Sequence, residues 1–387
     1  MTARENQRAD LLLLLFSVFA TASANSVVFA SMSELQEQYK YADAALGLIA
    51  GTGFAMGLVV QLFVAPLADR GHGKRLIQFG LGLAALGSII FALGDSLLVF
   101  IIGRGIVGAS IGLTFPAVRA LAAHLDSTRS AERLGAVAGM EIGGFVSGPL
   151  IGSLIIGPFG LDATFLLFGA LAVIALFIVS PRTFPELVST TESQRLSFDL
   201  MRIRSVRVAL ILTLAVTFPT GMFDALWDRF LADLGGNNAM TGLTFAVYGL
   251  PFILFSARAG KLIDKRSPIA VVLWLIIPIS LLTISYGVVK QPWVILGIGL
   301  FEGILQATMM PAALSAIAKA APPGRASAAQ GLSGAVNVFG QMVAAFIAPT
   351  IYGAYGAFIT FFAVAVGIAT IAGLAGIMHL RNLKSLR

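Results

Sequence analysis

A short polar stretch, Ala65-Pro-Leu-Ala-Asp-Arg-Gly-His-Gly-Lys-Arg75, separates two long apolar runs at 46–67 and 76–93. It places Asp69 among four Arg, Lys or His side chains, and its two glycines permit a sharp turn. A related stretch, Ser256-Ala-Arg-Ala-Gly-Lys-Leu-Ile-Asp-Lys-Arg266, carries Asp264, which lies 195 positions after Asp69, about half of the 387-residue chain. The spacing predicts one six-helix unit that is present in two copies.

The composition predicts an integral membrane protein. Hydrophobic residues make up 57% of the chain and charged residues only 12%, whereas soluble domains carry roughly 25% charged residues. The absence of cysteine excludes disulfides, thiolate metal sites and cysteine nucleophiles. The net charge is +7, but the basic residues are scattered between apolar runs. We therefore expect them to set membrane topology, and we expect neither a nucleic-acid partner nor a metal site.

Runs of about 20 apolar residues are typical of bilayer-spanning helices. The fold class predicted is all-α, with twelve transmembrane helices in two six-helix pseudo-symmetric halves. The halves are placed at 1–180 and 207–387, with a cytoplasmic linker at 181–206. The predicted spans are 11–32, 45–67, 76–94, 97–119, 134–157, 162–180, 207–231, 241–262, 268–288, 293–315, 327–350 and 356–379.

The positions of Lys and Arg predict the orientation. Of these 26 residues, 22 lie in alternate connections on one side, whereas the other side holds only Lys40, Arg229 and Lys290. The excess marks the cytoplasmic side, so we expect a multi-pass protein of the plasma (inner) membrane with both termini cytoplasmic. Within the linker, 198–204 is amphipathic and either lies on the membrane surface or is a simple tether.

The polar stretch resembles the loop motif Gly-x-Leu-Ala-Asp-Arg-x-Gly-Arg-Arg of the major facilitator superfamily, although Ala65 replaces the first glycine and the spacing is one residue longer. Arg104-x-x-Val-Gly108 resembles the fourth-span motif of that family without its Gln. Gly144-Phe-Val-Ser-Gly148-Pro-Leu-Ile-Gly152 resembles the fifth-span motif that is associated with drug:proton antiporters. The resemblance implies a major facilitator fold and alternating access of the rocker-switch type.

The resemblance also implies which residues change contacts during transport. In the loops, the charges either form an ion-pair latch or only set topology; in the fifth span, the Gly-Pro pattern either permits bending and sliding or is plain glycine-rich packing. The predicted conformational-switch residues are Asp69, Arg70, Lys74, Arg75, Gly144, Gly148, Pro149, Gly152, Gly260, Asp264 and Arg266.

Ionisable residues inside spans are costly, so they are candidates for proton or substrate sites. Glu302, with Gln306 one turn later, is the first candidate for the proton carrier; the alternative is a protonated structural Glu. Arg104 either binds an anionic group or pairs two helices. The resemblance places Asn25 and Asp224 in a central cavity as well, although Asp224 and Asp228 are also compatible with a solvated outer mouth. Glu141 is either a packing residue or part of the coupling site.

The function that follows is secondary active transport, with proton-coupled efflux of small amphipathic or drug-like molecules preferred. A carrier of a metabolite such as a sugar or organic acid is the first alternative, and a non-transporting sensor or scaffold is the second. No sequence motif of an enzyme or of a nucleotide-driven pump occurs. We expect a proton gradient as the energy source, no cofactor, protons and a small molecule as ligands, and a monomer. Trp227 and Trp293 are expected in an interfacial aromatic belt.

Overall fold

Long helices dominate the computed structural model, which describes residues 3–64, 67–68, 71–125, 130–184, 198–263, 267–322 and 325–385. Within these residues there are eleven α-helices, two short 3-10 helices at Val27–Ala30 and Phe198–Arg202, and no strand. The α-helices are α1 (Ala3–Ser26), α2 (Met32–Tyr39), α3 (Asp43–Phe63), α4 (Gly73–Ala92), α5 (Leu97–Leu125), α6 (Ser130–Val179), α7 (Arg204–Asp233), α8 (Asn238–Ile263), α9 (Pro268–Val288), α10 (Pro292–Ala320) and α11 (Ala326–Ser385).

Nine of the helices in the described part of the chain are long and apolar enough to cross a membrane. Two of them, α6 and α11, contain a break at Gly160 (φ 83°) and at Gly356 (φ 76°), where the left-handed backbone favours glycine. These breaks lie at the predicted boundaries 157–162 and 350–356, so each long helix supplies two spans. Helix α8 covers the predicted span at 241–262, and the whole arrangement fits the twelve predicted spans.

Several helix ends differ from the predicted span ends: α1 covers Ala3–Ser26 where the span was placed at 11–32, and α11 continues to Ser385, six residues beyond the predicted end at 379. Helix α5 continues to Leu125, six residues beyond the predicted end at Arg119, because polar residues at a membrane boundary still propagate a helix outside the hydrocarbon. The connection after the first span contains a further helix, α2. The start of α9 shows the usual capping residues of a helix. Ser267 accepts a hydrogen bond from the Ala270 N–H, and a proline occupies the first turn.

The chain divides into two compact units. Unit 1 consists of Met1–Tyr41, Leu48–Arg195 and Asn237–Leu243; unit 2 consists of Ala42–Gly47, Leu196–Gly236 and Thr244–Arg387. In unit 1, α1 packs against α6 and α4 packs against α5; in unit 2, α11 packs against α7 and α9. Each unit has its own apolar core, which holds the site residues of that unit in place.

The 195-residue repeat is visible in the helix contacts within each unit. A Cβ added to Gly108 would lie 2.1 Å from the carbonyl oxygen of Gly53, and one added to Gly303 would lie 2.5 Å from that of Tyr248. Gly53 and Tyr248 are themselves 195 positions apart. Both units therefore use a glycine at the same register to bring two helix backbones together, as is common in lipid, where small residues permit close packing.

Candidate functional site

Unit 2 contains a buried carboxyl group at Glu302 of α10, whose exposed fraction is 1%. The Tyr286 hydroxyl of α9 donates a hydrogen bond of 2.6 Å to Glu302 Oε2. Glu302 Oε1 has no hydrogen-bond partner among the described residues. Because an unpaired carboxylate is expensive to bury, this group is suited to hold a proton or to meet a cation.

Aromatic rings surround the Tyr286 side of this carboxyl group. Ring centroids are 5.0 Å apart for Trp227 and Tyr286 and 5.8 Å apart for Phe223 and Tyr286, with edge-to-face geometry. Phe230 and Phe361 complete the cluster. The aromatic cluster therefore comprises Phe223, Trp227, Phe230, Tyr286 and Phe361, and it fixes the ring that carries the donor hydroxyl.

Trp227 is buried, which contradicts the expectation that it lies in an interfacial aromatic belt. Its side chain is 7% exposed and its indole N–H donates to Thr244 Oγ1 at 2.8 Å, so it is a core residue rather than part of an interfacial belt. Trp293 is 70% exposed, and its place in the aromatic belt stays a prediction. The sequence could not separate them, because both lie near the end of an apolar run.

Two further acidic residues of unit 2 lie on α7. Asp224 and Asp228 are both buried, which contradicts the expectation of a solvated outer mouth. A Cβ added to Gly303, next to Glu302, would lie 2.5 Å from the Tyr248 carbonyl, so α8 packs against α10 at this point, and Asp224 belongs to the same unit. Gln306, one turn after Glu302, is buried as well.

The buried guanidinium of Arg104 in unit 1 is tied to the end of a helix. Arg104 Nη1 donates to the backbone carbonyl of Asn25 at 2.6 Å and to Asn25 Oδ1 at 2.8 Å, and its guanidinium lies 4.9 Å from the Phe29 ring centroid. Helix α1 ends at Ser26, which leaves the Asn25 carbonyl available. A Cβ on Gly53 would approach Arg104 Nε to 2.5 Å, so this glycine provides the space.

Glu141 forms an ion pair that the sequence prediction missed. Arg119 Nε donates to Glu141 Oε1 at 2.8 Å, and Arg119 Nη2 to Oε2 at 2.5 Å, which joins α5 to α6 in a bidentate arrangement. From the sequence, Arg119 is one of the charges at the cytoplasmic end of a span, and nothing in the sequence links it to Glu141. Glu141 belongs to unit 1 and Glu302 to unit 2.

The glycines of the fifth-span motif face α1. A Cβ added to Gly144 would lie 2.6 Å from Ala22 Cβ, and one added to Gly148 would lie 2.1 Å from Ser26 Oγ and 2.7 Å from the Ser23 carbonyl. A Cβ on Gly152 would likewise lie 2.7 Å from a Val27 methyl group. The motif therefore forms a smooth strip on α6 that lets the two helices touch, and Pro149 lies within it.

The loop residues are only partly described. Lys74 and Arg75 lie in the first turn of α4, and Gly260 lies in α8. Asp69, Arg70, Asp264 and Arg266 lie outside the described residues, so the predicted latch stays a prediction.

A second charged network in unit 2 was not predicted. Arg229 Nη1 pairs with Asp233 at 2.8 Å and Arg229 Nε with Asp43 at 3.5 Å, while the Tyr352 hydroxyl donates to Asp233 at 2.7 Å. The four-residue spacing of Arg229 and Asp233 on one helix was a signal that could have found the first pair.

Long apolar helices with buried ionisable side chains define a polytopic membrane protein. The sequence profile of the Major Facilitator Superfamily matches residues 14–226 and 209–385. The chain therefore belongs to this superfamily: it is a membrane transporter of small molecules and not an enzyme. The predicted family and fold class are confirmed.

Relatives and solved structures agree with this assignment. The chain is similar to multidrug resistance protein MdtG of Proteus mirabilis (strain HI4320), with 24% identity over 88% of this chain and 89% of the relative. Identity to MdtG of Dickeya zeae (strain Ech586) is also 24%, over 80% of each chain. Among structures, the chain is similar to a bacterial homolog of the human lysosomal transporter Spinster in an inward-facing, occupied conformation. That match has a TM-score of 0.82 and 15% identity, and it covers 96% of this chain and 97% of the other. The nucleoside transporter NupG matches with a TM-score of 0.79 and 13% identity, over 96% and 99% of the two chains.

Proposed function

We propose that this protein exports small amphipathic molecules, cationic or neutral, in exchange for protons, with Glu302 as the proton carrier. The observation that carries the proposal is the state of this side chain: it is buried, one oxygen is bonded to Tyr286, and the other has no partner among the described residues. A carboxyl group in such a site is neutral when it is protonated. When it loses its proton, the buried negative charge needs a cation nearby, and a cationic substrate can supply it.

The charge distribution within the units supports cationic or neutral cargo. Unit 2 buries Asp224, Asp228 and Glu302, whereas the guanidinium of Arg104 in unit 1 is held by Asn25. We therefore assign Arg104 to the positioning of the α1 end rather than to an anionic substrate. Export is favoured over uptake because the relatives described above carry the name multidrug resistance protein.

The proposal also includes the orientation, the membrane, the oligomeric state and the energy source. Both termini are cytoplasmic by the Lys and Arg bias, the membrane is the plasma (inner) membrane, the chain acts as a monomer, and the proton gradient drives alternating access without a cofactor. No role in nucleic-acid binding is proposed.

A liposome assay tests this function. Purified protein is reconstituted with a pH-sensitive dye inside the vesicles, and lipophilic cations, sugars, nucleosides and organic acids are added in turn under an imposed proton gradient. Substrate-induced proton movement is expected with the cations. A signal only with the sugars, nucleosides or acids would instead identify a metabolite carrier, and silence with correctly inserted protein would contradict the proposed exchange of amphipathic cations for protons.

The Glu302→Gln variant then tests the carrier. It should abolish substrate-driven proton movement while substrate exchange without a gradient continues, because Gln fills the same space but cannot take up a proton. Tyr286→Phe keeps the ring in the aromatic cluster and removes the hydrogen bond, so it should weaken coupling less than Glu302→Gln does. Wild-type coupling in Glu302→Gln would remove Glu302 from the mechanism.

A further inference from the structure

The 3-10 helix at Phe198–Arg202 is anchored to unit 2 rather than lying free as a tether. Leu200 is fully buried in an apolar cluster with residues of α7, α10 and α11. Its neighbours in that cluster are Val206, Ala209, Leu210, Ala316, Ile317, Ala329 and Leu332. The anchor fixes which side of this short helix faces outward.

Two polar contacts hold the same segment. The guanidinium of Arg325 forms a bidentate ion pair with the Asp199 carboxylate, and Ser205 Oγ donates to the Ala320 carbonyl at 3.3 Å. The Arg325 pair holds the segment itself and the Ser205 contact holds the first turn of α7 that follows it, so the outward face is presented in a defined orientation.

The outward face combines basic and apolar side chains. Phe198 and Met201 are 51% and 41% exposed, and the side chains of Arg202, Arg204 and Arg207 are exposed beside them. These three arginines have no ion-pair partner among the described residues. We call Phe198, Met201, Arg202, Arg204 and Arg207 the basic face.

The basic face lies at the depth of lipid headgroups. Helix α7 is a membrane span of 30 residues that begins at Arg204; at 1.5 Å per residue it is about 45 Å long, which exceeds a hydrocarbon core of about 30 Å. Its first turn, with Arg204 and Arg207, therefore reaches the headgroup region. Guanidinium groups bind phosphate in a bidentate manner.

We propose that the basic face binds the headgroups of anionic phospholipids in the adjoining leaflet. Its three arginines supply the charge that matches a phosphodiester, and Phe198 and Met201 supply an apolar contact for the acyl region. Basic side chains beside apolar ones are the combination by which amphipathic segments at a membrane surface bind anionic lipids. The apolar pair favours an amphiphile over a free anion. The proposal is independent of proton coupling and of the identity of the cargo.

Native mass spectrometry of the full chain in detergent tests the proposal with phosphatidylglycerol, phosphatidylcholine and inorganic phosphate as probes. Phosphatidylglycerol should bind to the wild type, and the combined change Arg202→Gln, Arg204→Gln and Arg207→Gln should weaken it by more than tenfold, since each arginine near an anionic surface is worth roughly fivefold. The exposed Lys290→Gln, outside the basic face, is the control and should bind as the wild type does. Equal binding in the triple variant, equal binding of phosphatidylcholine, or displacement by inorganic phosphate would overturn the proposal.

A spectroscopic measurement decides the question without removing any arginine. The chain contains no cysteine, so Met201→Cys accepts a single nitroxide label, and Lys290→Cys provides a control label. In nanodiscs with phosphatidylglycerol, the label at 201 should be more accessible to oxygen and less accessible to a water-soluble nickel complex than in phosphatidylcholine nanodiscs. The label at 290 should not change with lipid charge. A label at 201 that is equally accessible to water in both lipids would refute the proposal.

Discussion

Replacing Gly148 by alanine tests whether the fifth-span motif exists for the contact between α6 and α1. The added Cβ would lie 2.1 Å from Ser26 Oγ, 2.7 Å from the Ser23 carbonyl and 2.9 Å from the Val27 backbone N. The serine hydroxyl can rotate away, but two of the three atoms are backbone. The helices must therefore separate, at an overpacking cost of about 1–3 kcal/mol.

Gly143 on the same helix is a matched control, because a Cβ there meets nothing within 4 Å. Both substitutions gain the helix propensity of alanine, about 0.5–1 kcal/mol. This gain cancels in the comparison, so the difference in unfolding free energy between Gly148→Ala and Gly143→Ala equals the overpacking cost. For a unit of this size, about 1–3 kcal/mol corresponds to a difference in melting temperature of about 3–10 °C.

The assay is thermal unfolding in detergent, followed by far-ultraviolet circular dichroism because all three tryptophans lie in unit 2, together with transport in liposomes. Gly143→Ala should melt at or above the wild-type temperature with normal transport. Gly148→Ala should melt lower and transport more slowly at a temperature at which it is still folded. Equal melting and equal transport of the two variants would show that the strip of Gly144, Gly148 and Gly152 is ordinary glycine-rich packing.

Two other predictions concern ion pairs outside the proposed carrier site. The hydrogen bond and the positive charge of Arg325 hold the pKa of Asp199 below its ordinary value. The ion pair therefore stabilises the attachment of residues 198–202 at neutral pH, and this stabilisation is lost as the pH falls below about 4. The protection factors of the amides at 198–202, which compare the measured exchange with the intrinsic rate at the same pH, should fall at low pH in the wild type and be low at every pH in Asp199→Asn; a wild-type protection that does not change with pH would contradict this. Glu141→Gln should lower stability by about 1 kcal/mol, because half-exposed Arg119 loses a charged partner, and it should leave proton coupling intact. Coupling lost in Glu141→Gln and kept in Glu302→Gln would reverse the two assignments.

The scaffold could be predicted from the sequence because its signals are local or periodic. Apolar runs of span length, a Lys and Arg bias and a 195-residue offset need no knowledge of which helices touch. The offset that relates Gly108 to Gly303 reappears as the same backbone contact in each unit. Even the breaks at Gly160 and Gly356 lie between spans that hydropathy had already separated.

The partners of the polar side chains could not be predicted in this way. Glu141 pairs with Arg119 over 22 positions, and Arg104 pairs with Asn25 over 79 positions. Such pairs depend on helix rotation, and a rotation error of one residue, about 100°, directs a side chain to another face. The burial of Trp227 and of Asp228 was missed for the same reason, because distance from the end of a span does not say whether a side chain faces lipid, solvent or protein.

The two units carry different side chains at corresponding positions of the repeat. Tyr286 and Glu302, which form the buried hydrogen bond in unit 2, correspond at the 195-residue offset to Phe91 and Val107 in unit 1. Phe and Tyr differ by the hydroxyl group that donates this bond, and the carboxyl group that accepts it replaces an apolar side chain.

Arg104 of unit 1 shows the opposite exchange. Arg104 with its small neighbour Gly53 corresponds to Gly299 with Tyr248 in unit 2, so the large and the small residue change places between the two helices. The same glycine contact between two helix backbones is thus present in both units. In unit 1 it lies beside Arg104, which holds the end of α1, and in unit 2 it lies beside Glu302, which has one oxygen without a hydrogen-bond partner among the described residues. If the proton site depends on this asymmetry, transport should tolerate Phe91→Tyr in unit 1 but lose coupling efficiency with Tyr286→Phe in unit 2. Equal effects of these two changes in the liposome assay would show that the hydroxyl of Tyr286 has no special role.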